Sequence, residues 1–116
     1  PPRSTLFPYT TLFRSLIDFL DRVEQHPRRI PIIAGVWPLL SYKNAEFMNN
    51  EVPGVTVPDA ILQRMARCAT KETARAEGIA IARETIAQLR PRVAGVQVSA
   101  PLGNVEIALD VLKDIL

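Results

Sequence analysis

The sequence predicts an α/β chain: the C-terminal portion of a TIM (β/α)8 barrel, with two parallel strands and flanking helices. Ile30–Val36 (IPIIAGV) and Val93–Ser99 (VAGVQVS) are short apolar runs that break abruptly into polar and turn residues. A barrel strand handing over to a functional loop at its C-terminal end has this form. A long helical stretch separates the runs, as a parallel crossover requires. Both runs are nearly continuous in apolar residues, which predicts strands buried on both faces. Two such strands cannot make a stable sheet alone, so further strands are expected upstream.

The elements follow in order. Leu16–Gln25 places Leu16, Leu20 and Val23 on one helical face, a helix already in progress, and Pro27 stops it. Ile30–Val36 is the first strand, ended by Trp37-Pro38. Ser41 is an N-cap candidate for a helix over Tyr42–Asn49. Asn50–Pro58 reads as a loop with a Pro53-Gly54 turn, and Pro58 suits the first position of the next helix. That helix runs over Asp59–Ala69 with Ile61, Leu62 and Met65 at helical spacing. Thr70 caps a longer one through Arg90, with Ile79, Ala82, Ile86 and Leu89 as its buried stripe and Gly78 allowing close packing. After the second strand, Asn104–Leu116 forms the last helix, with Val105, Ala108, Leu109, Leu112 and Ile115 expected on one face.

Pro1–Ser15 (PPRSTLFPYTTLFRS) stands apart. It matches, codon by codon, the translation of a common sequencing-library adapter, so it reads as an artefact and the native barrel portion as residues 16–116. Its Arg3 and Arg14 account for the whole excess of 14 basic over 12 acidic residues. The net charge of +2 is therefore no sign of nucleic-acid binding. No apolar run approaches membrane-spanning length. The single Cys68 permits no internal disulfide and fits a reducing, cytoplasmic setting. His26, the one histidine, precedes Pro27 at a helix end and reads as a capping or solvent residue, and no His-rich metal site can be built from it.

The blocks AGVWPLLSYKNAEFMNNEVPGVTVP and GVQVSAPLGNVEIALDVL resemble the C-terminal part of methylenetetrahydrofolate reductases. The wording SYKNAEFMNNEVPGV is most similar to the reductase half of bifunctional homocysteine S-methyltransferase/methylenetetrahydrofolate reductases. The resemblance implies a flavoprotein of one-carbon and methionine metabolism. In it a barrel holds FAD, NAD(P)H reduces the flavin, and the flavin reduces 5,10-methylenetetrahydrofolate to 5-methyltetrahydrofolate. It also implies that the flavin-contacting segments and the acid that assists protonation lie upstream, that the partners are folate and the missing barrel strands, and that a homo-oligomer is compatible with the whole. Neither a methyltransferase domain nor the choice of NADH or NADPH is specified by these blocks.

Four substrate-binding positions carry over. Asn44 stands where the family has a pterin-binding Gln, and its alternative role is to satisfy the helix start three residues after Ser41. Met48 stands where an aromatic often covers the folate ring, with Phe47 beside it as the better candidate for core packing. Ser99 and Gly103 bound Ser99-Ala100-Pro101-Leu102-Gly103, where the family commonly shows Tyr-Thr-Leu-Asn-Arg; at Gly103 the folate-contacting Arg is replaced. Gln97 lies within the last strand and either points into the barrel or serves as a polar core residue. Trp37 and Tyr42 flank the first loop. Glu46, Glu51 and Glu106 read as solvated charges. A second reading rests on the fold alone: Pro101–Asn104 could hold a phosphate on backbone N–H groups, as in a barrel lyase or isomerase. A third is that the chain is a packing piece, inactive by itself.

Overall fold

The computed structural model describes residues 10–28, 30–52, 57–113 and 115, with side chains from residue 17 onward. Among these the order is α1 (Thr10–Gln25), β1 (Ile33–Val36), α2 (Tyr42–Glu51), α3 (Asp59–Ala66), α4 (Lys71–Leu89), β2 (Gly95–Val98) and α5 (Val105–Leu112). Short 3-10 turns at Arg90–Arg92 and Pro101–Gly103 bracket β2.

The two strands pair in parallel, Ile33 opposite Gly95 and Val36 opposite Val98. The ladder continues past both ends, from Ala94 N–H to Ile32 C=O (2.8 Å) and from Ser99 N–H to Val36 C=O (2.9 Å). The C-terminal ends of both strands therefore open on one rim, as the sequence predicts. The strands are shorter than the apolar runs, and Ile30 is exposed.

Burial on both faces is not observed. Along β1, Ala34 and Val36 are buried, whereas Ile33 is 70% exposed and Gly35 is exposed. On β2, Val96 and Val98 join the core and Gln97 is exposed. Side chains alternate across a strand. The helices cover one face of the sheet, and the face bearing Ile33, Gly35 and Gln97 stays open. An α/β unit with helices outside and one bare sheet face is consistent with part of a barrel, whose inner face is filled by the remaining strands.

Three apolar clusters build the helical layer. Leu20 of α1 meets Ala34 and Leu89, with Ile32, Val93 and Val96 around them. Val36, Ala82, Ile86 and Val111 join the sheet to α4 and α5. Ala45, Met48, Val57, Ile61, Met65, Ala74 and Ile81 join α2, α3 and α4. Helix α4 thus buries two stripes. Its start is the predicted one: the Thr70 side chain accepts from Thr73 N–H, and Thr73 Oγ1 accepts in return from Thr70 N–H. Gly78 does allow close approach. A Cβ there would lie 1.8 Å from the Leu39 carbonyl oxygen.

Other expectations shift. Helix α1 begins at Thr10, inside the adapter-like stretch, rather than near Leu16. Phe7, Tyr9 and Phe13, whose burial would argue against an adapter origin, lie outside the described residues or have no described side chain. Pro58 is the N-cap of α3, not its first helical residue. Helix α5 buries Ile107, Ala108 and Val111, while Val105 and Leu109 are more than half exposed. VEIALDVL carries two apolar stripes, so periodicity alone could not choose between them; the packing against α4 does.

Ion pairs tie the elements. Arg92 reaches Asp21 (2.6 Å) and Glu24 (3.0 Å), clasping α1 to the turn before β2. Arg64 on α3 pairs with Glu77 and with Glu84 (2.8 Å) on α4. Arg83 Nη1 donates to the carbonyls of Asp110 (3.0 Å) and Lys113 (2.7 Å), satisfying C-terminal acceptors of α5.

Candidate substrate site at the strand rim

The rim is formed by the segments that follow β1 and β2. After β1, Trp37 is 54% exposed and Pro38 is buried. Ser41 then caps α2: its Oγ accepts from Asn44 N–H at 3.0 Å. The Asn44 side chain answers by accepting from Leu40 N–H through Oδ1 at 3.1 Å. This is a capping exchange displaced by one residue, and it satisfies two backbone donors at the helix start. The helix-start role of Asn44 is therefore present. It fixes the half-buried amide in one orientation, with the carboxamide oxygen on the backbone and the Nδ2 hydrogens unbonded among the described residues.

Met48 and Phe47 exchange their expected places. Met48 is buried in the cluster under α2, while Phe47 is 56% exposed. Ala45, Met48 and Val52 form the inward stripe of α2, so a residue at position 47 must turn out. Phe47 lies three residues from Asn44 on the outer surface, the spacing at which helical side chains are neighbours. The signal was available in the sequence: Ala45-x-x-Met48 sets the inner face. Further on, Asn49 Oδ1 accepts from Val57 N–H at 2.8 Å and pins the chain beyond the loop back onto α2, a tether sequence reasoning missed.

Tyr42 Oη donates to Glu46 Oε2 at 3.2 Å, and the Glu46 carboxylate, by its charge and this bond, raises the phenol above its ordinary pKa. Glu51 and Glu106 are exposed, as expected of solvated charges. His26 is exposed, its Nδ1 accepting from Arg28 N–H. Cys68 is half-buried and its thiol faces the Arg64 carbonyl. No group of three or more potential metal ligands occurs among the described residues. No helix among them is long and apolar enough to cross a membrane.

After β2, Ser99 is half-buried at the rim, and its Oγ accepts from Gln97 Nε2 at 3.4 Å. The chain then makes the Pro101–Gly103 turn, with Leu102 at φ 52 and Gly103 at φ 75. The Gly103 and Asn104 N–H groups donate to Ala100 (3.1 Å) and Pro101 (2.9 Å) carbonyls within the turn. Those two N–H groups are taken up within the turn and are not offered to a phosphate, which weakens the lyase or isomerase reading. Gly103 leaves its place on the rim without a side chain, in keeping with the missing arginine.

Leu102 holds a left-handed backbone conformation while 95% exposed. The conformation costs a non-glycine residue about 1–2 kcal/mol. No burial offsets it. Leu102→Gly should therefore stabilise the fold by about 0.5–1 kcal/mol, after the extra freedom glycine gives the unfolded chain. Urea unfolding checks this; an unchanged or lowered midpoint would mean the turn holds Leu102 without strain.

The family model for methylenetetrahydrofolate reductase matches residues 8–99 of the 116. The match covers both strands and the rim segment after β1, and it begins within the adapter-like stretch. No curated protein and no solved structure matches the chain.

Proposed function

The chain belongs to the methylenetetrahydrofolate reductase family, a family of flavin-dependent TIM-barrel oxidoreductases, and from that premise we propose that it is the C-terminal part of a complete reductase and supplies part of the folate site. The reductase converts 5,10-methylenetetrahydrofolate to 5-methyltetrahydrofolate with FAD and NAD(P)H. The flavin is held mainly by the upstream strands, as the resemblance to the family implies. It supplies the hydride to folate when bound. In this reading the isolated chain carries neither half-reaction and the setting is cytoplasmic.

The observation that carries the reading is the oriented Asn44 amide beside exposed Phe47, at the C-terminal end of a parallel strand where barrel enzymes keep their chemistry. With Oδ1 engaged by Leu40, Asn44 offers Nδ2 as a fixed donor to an acceptor on the pterin. Phe47, rather than the buried Met48, offers the ring-covering surface. Ser99 and the open space at Gly103 form the opposite part of the rim.

The test separates the two roles of Asn44. Asn44→Asp keeps an acceptor for Leu40 N–H and removes the donor. Losing a hydrogen bond worth about 1–2 kcal/mol should raise the folate KM roughly 5- to 30-fold. Flavin reduction by NAD(P)H and the melting temperature should stay nearly unchanged. Asn44→Ala should show the same rise in KM together with a stability loss of about 1 kcal/mol. An unchanged folate KM in Asn44→Asp would remove Asn44 from the site; equal damage to both half-reactions would make it a helix-start residue only.

A further inference from the structure

The open sheet face carries an arrangement that the folate reading does not use. Across the register, Gly35 lies opposite Gln97. A Cβ at Gly35 would sit 3.3 Å from Gln97 Oε1, so the Gln97 side chain leans across β1 over the space glycine leaves. Its other amide atom, Nε2, donates to Ser99 Oγ, two residues on and on the same face of β2. A hydroxyl that accepts from an amide N–H keeps its own hydrogen free to point elsewhere. Ser99 stands at the rim end of that face. We propose that Gln97 is a positioning residue: it holds Ser99 so that the serine O–H donates to a neutral acceptor, a carbonyl oxygen or ring nitrogen, on the bound heterocycle. This rests on the folate-site reading above. It adds a second fixed donor from the other strand and brings Gly35 into the device, because a Cβ there would press on the amide oxygen and push it by a few tenths of an ångström.

The experiment uses the complete flavin-loaded reductase and measures folate KM, the NAD(P)H-flavin half-reaction and thermal stability. Ser99→Ala removes one hydrogen bond and should raise folate KM about 3- to 10-fold. Gln97→Met, similar in length and without polar atoms, should give a similar rise, and the double variant should add little to either single one. Gln97→Glu should be worse than Gln97→Met, because a carboxylate accepts the Ser99 hydrogen and turns a lone pair toward the ligand. Flavin reduction should not change in any of them. Additive effects of Ser99→Ala and Gln97→Met, or an unchanged KM in either, would overturn the proposal. So would a fall in flavin reduction and melting temperature in step with KM, which marks a purely structural glutamine. If Asn44→Asp behaves as a folate-site variant while these are silent, this inference alone falls. If the wild-type enzyme does not reduce methylenetetrahydrofolate, both fall.

Discussion

Gly78→Ala is expected to destabilise the fold by about 3 kcal/mol, the upper end of what overpacking a close contact costs. Alanine is favoured over glycine inside a helix by about 1 kcal/mol, so propensity alone predicts the opposite sign. The contact decides. An added Cβ would lie 1.8 Å from the Leu39 carbonyl oxygen and 2.8 Å from its carbon, and both are backbone atoms that no rotamer change can move. Relief requires α4 or the segment after β1 to shift by more than an ångström on the scale of normal contacts. That segment leads into Ser41 and Asn44, so the substitution should also raise the folate KM. Thermal unfolding of the reductase checks the first part. A melting temperature equal to or above that of the wild type would mean that α4 does not pack on Leu39 as described.

Ile86→Ala should cost a comparable 3–4 kcal/mol, within the range for burying a large aliphatic and then deleting it. Ile86 is 1% exposed and sits among Val36, Ala82 and Val111, where α4 and α5 cover the sheet. Its buried neighbours sit on a strand and on two helices, so the space left by truncation closes only in part. Leu109→Ala is the control. Leu109 is 55% exposed, and in this unit its truncation should change stability by less than about 0.5 kcal/mol. Equal losses at both positions would show that the exposed stripe of α5 is covered in the assembled protein.

Much of the fold was legible because local signals agreed. The two apolar runs, the Ser41 and Thr70 caps and the Gly78 contact were all readable from residue type and spacing. The parts that were misread share one cause: which face is buried depends on partners the local pattern does not name. IIAGV looks buried on both faces, yet Ile33 is 70% exposed, because none of the described elements lies across the sheet from the helices. VEIALDVL offered two apolar stripes. Met48, not Phe47, is the inward residue of α2, because Ala45 and Met48 lie one helical turn apart on the face that packs on α3 and α4. At the rim, Asn44 was legible as an amide at a strand end. Its orientation was not, since it depends on the Leu40 N–H. The Gln97–Gly35 juxtaposition depends on register, which no single strand encodes.

If, as we propose, this chain completes the folate side of a flavin-dependent reductase barrel, the most direct measurement is anaerobic, on the complete purified protein. NAD(P)H should bleach the bound flavin, and 5,10-methylenetetrahydrofolate should restore its colour with formation of 5-methyltetrahydrofolate, the second step slowing in Asn44→Asp at low folate and the first unaffected. A protein that binds no flavin, or whose reduced flavin methylenetetrahydrofolate does not reoxidise, would contradict the account.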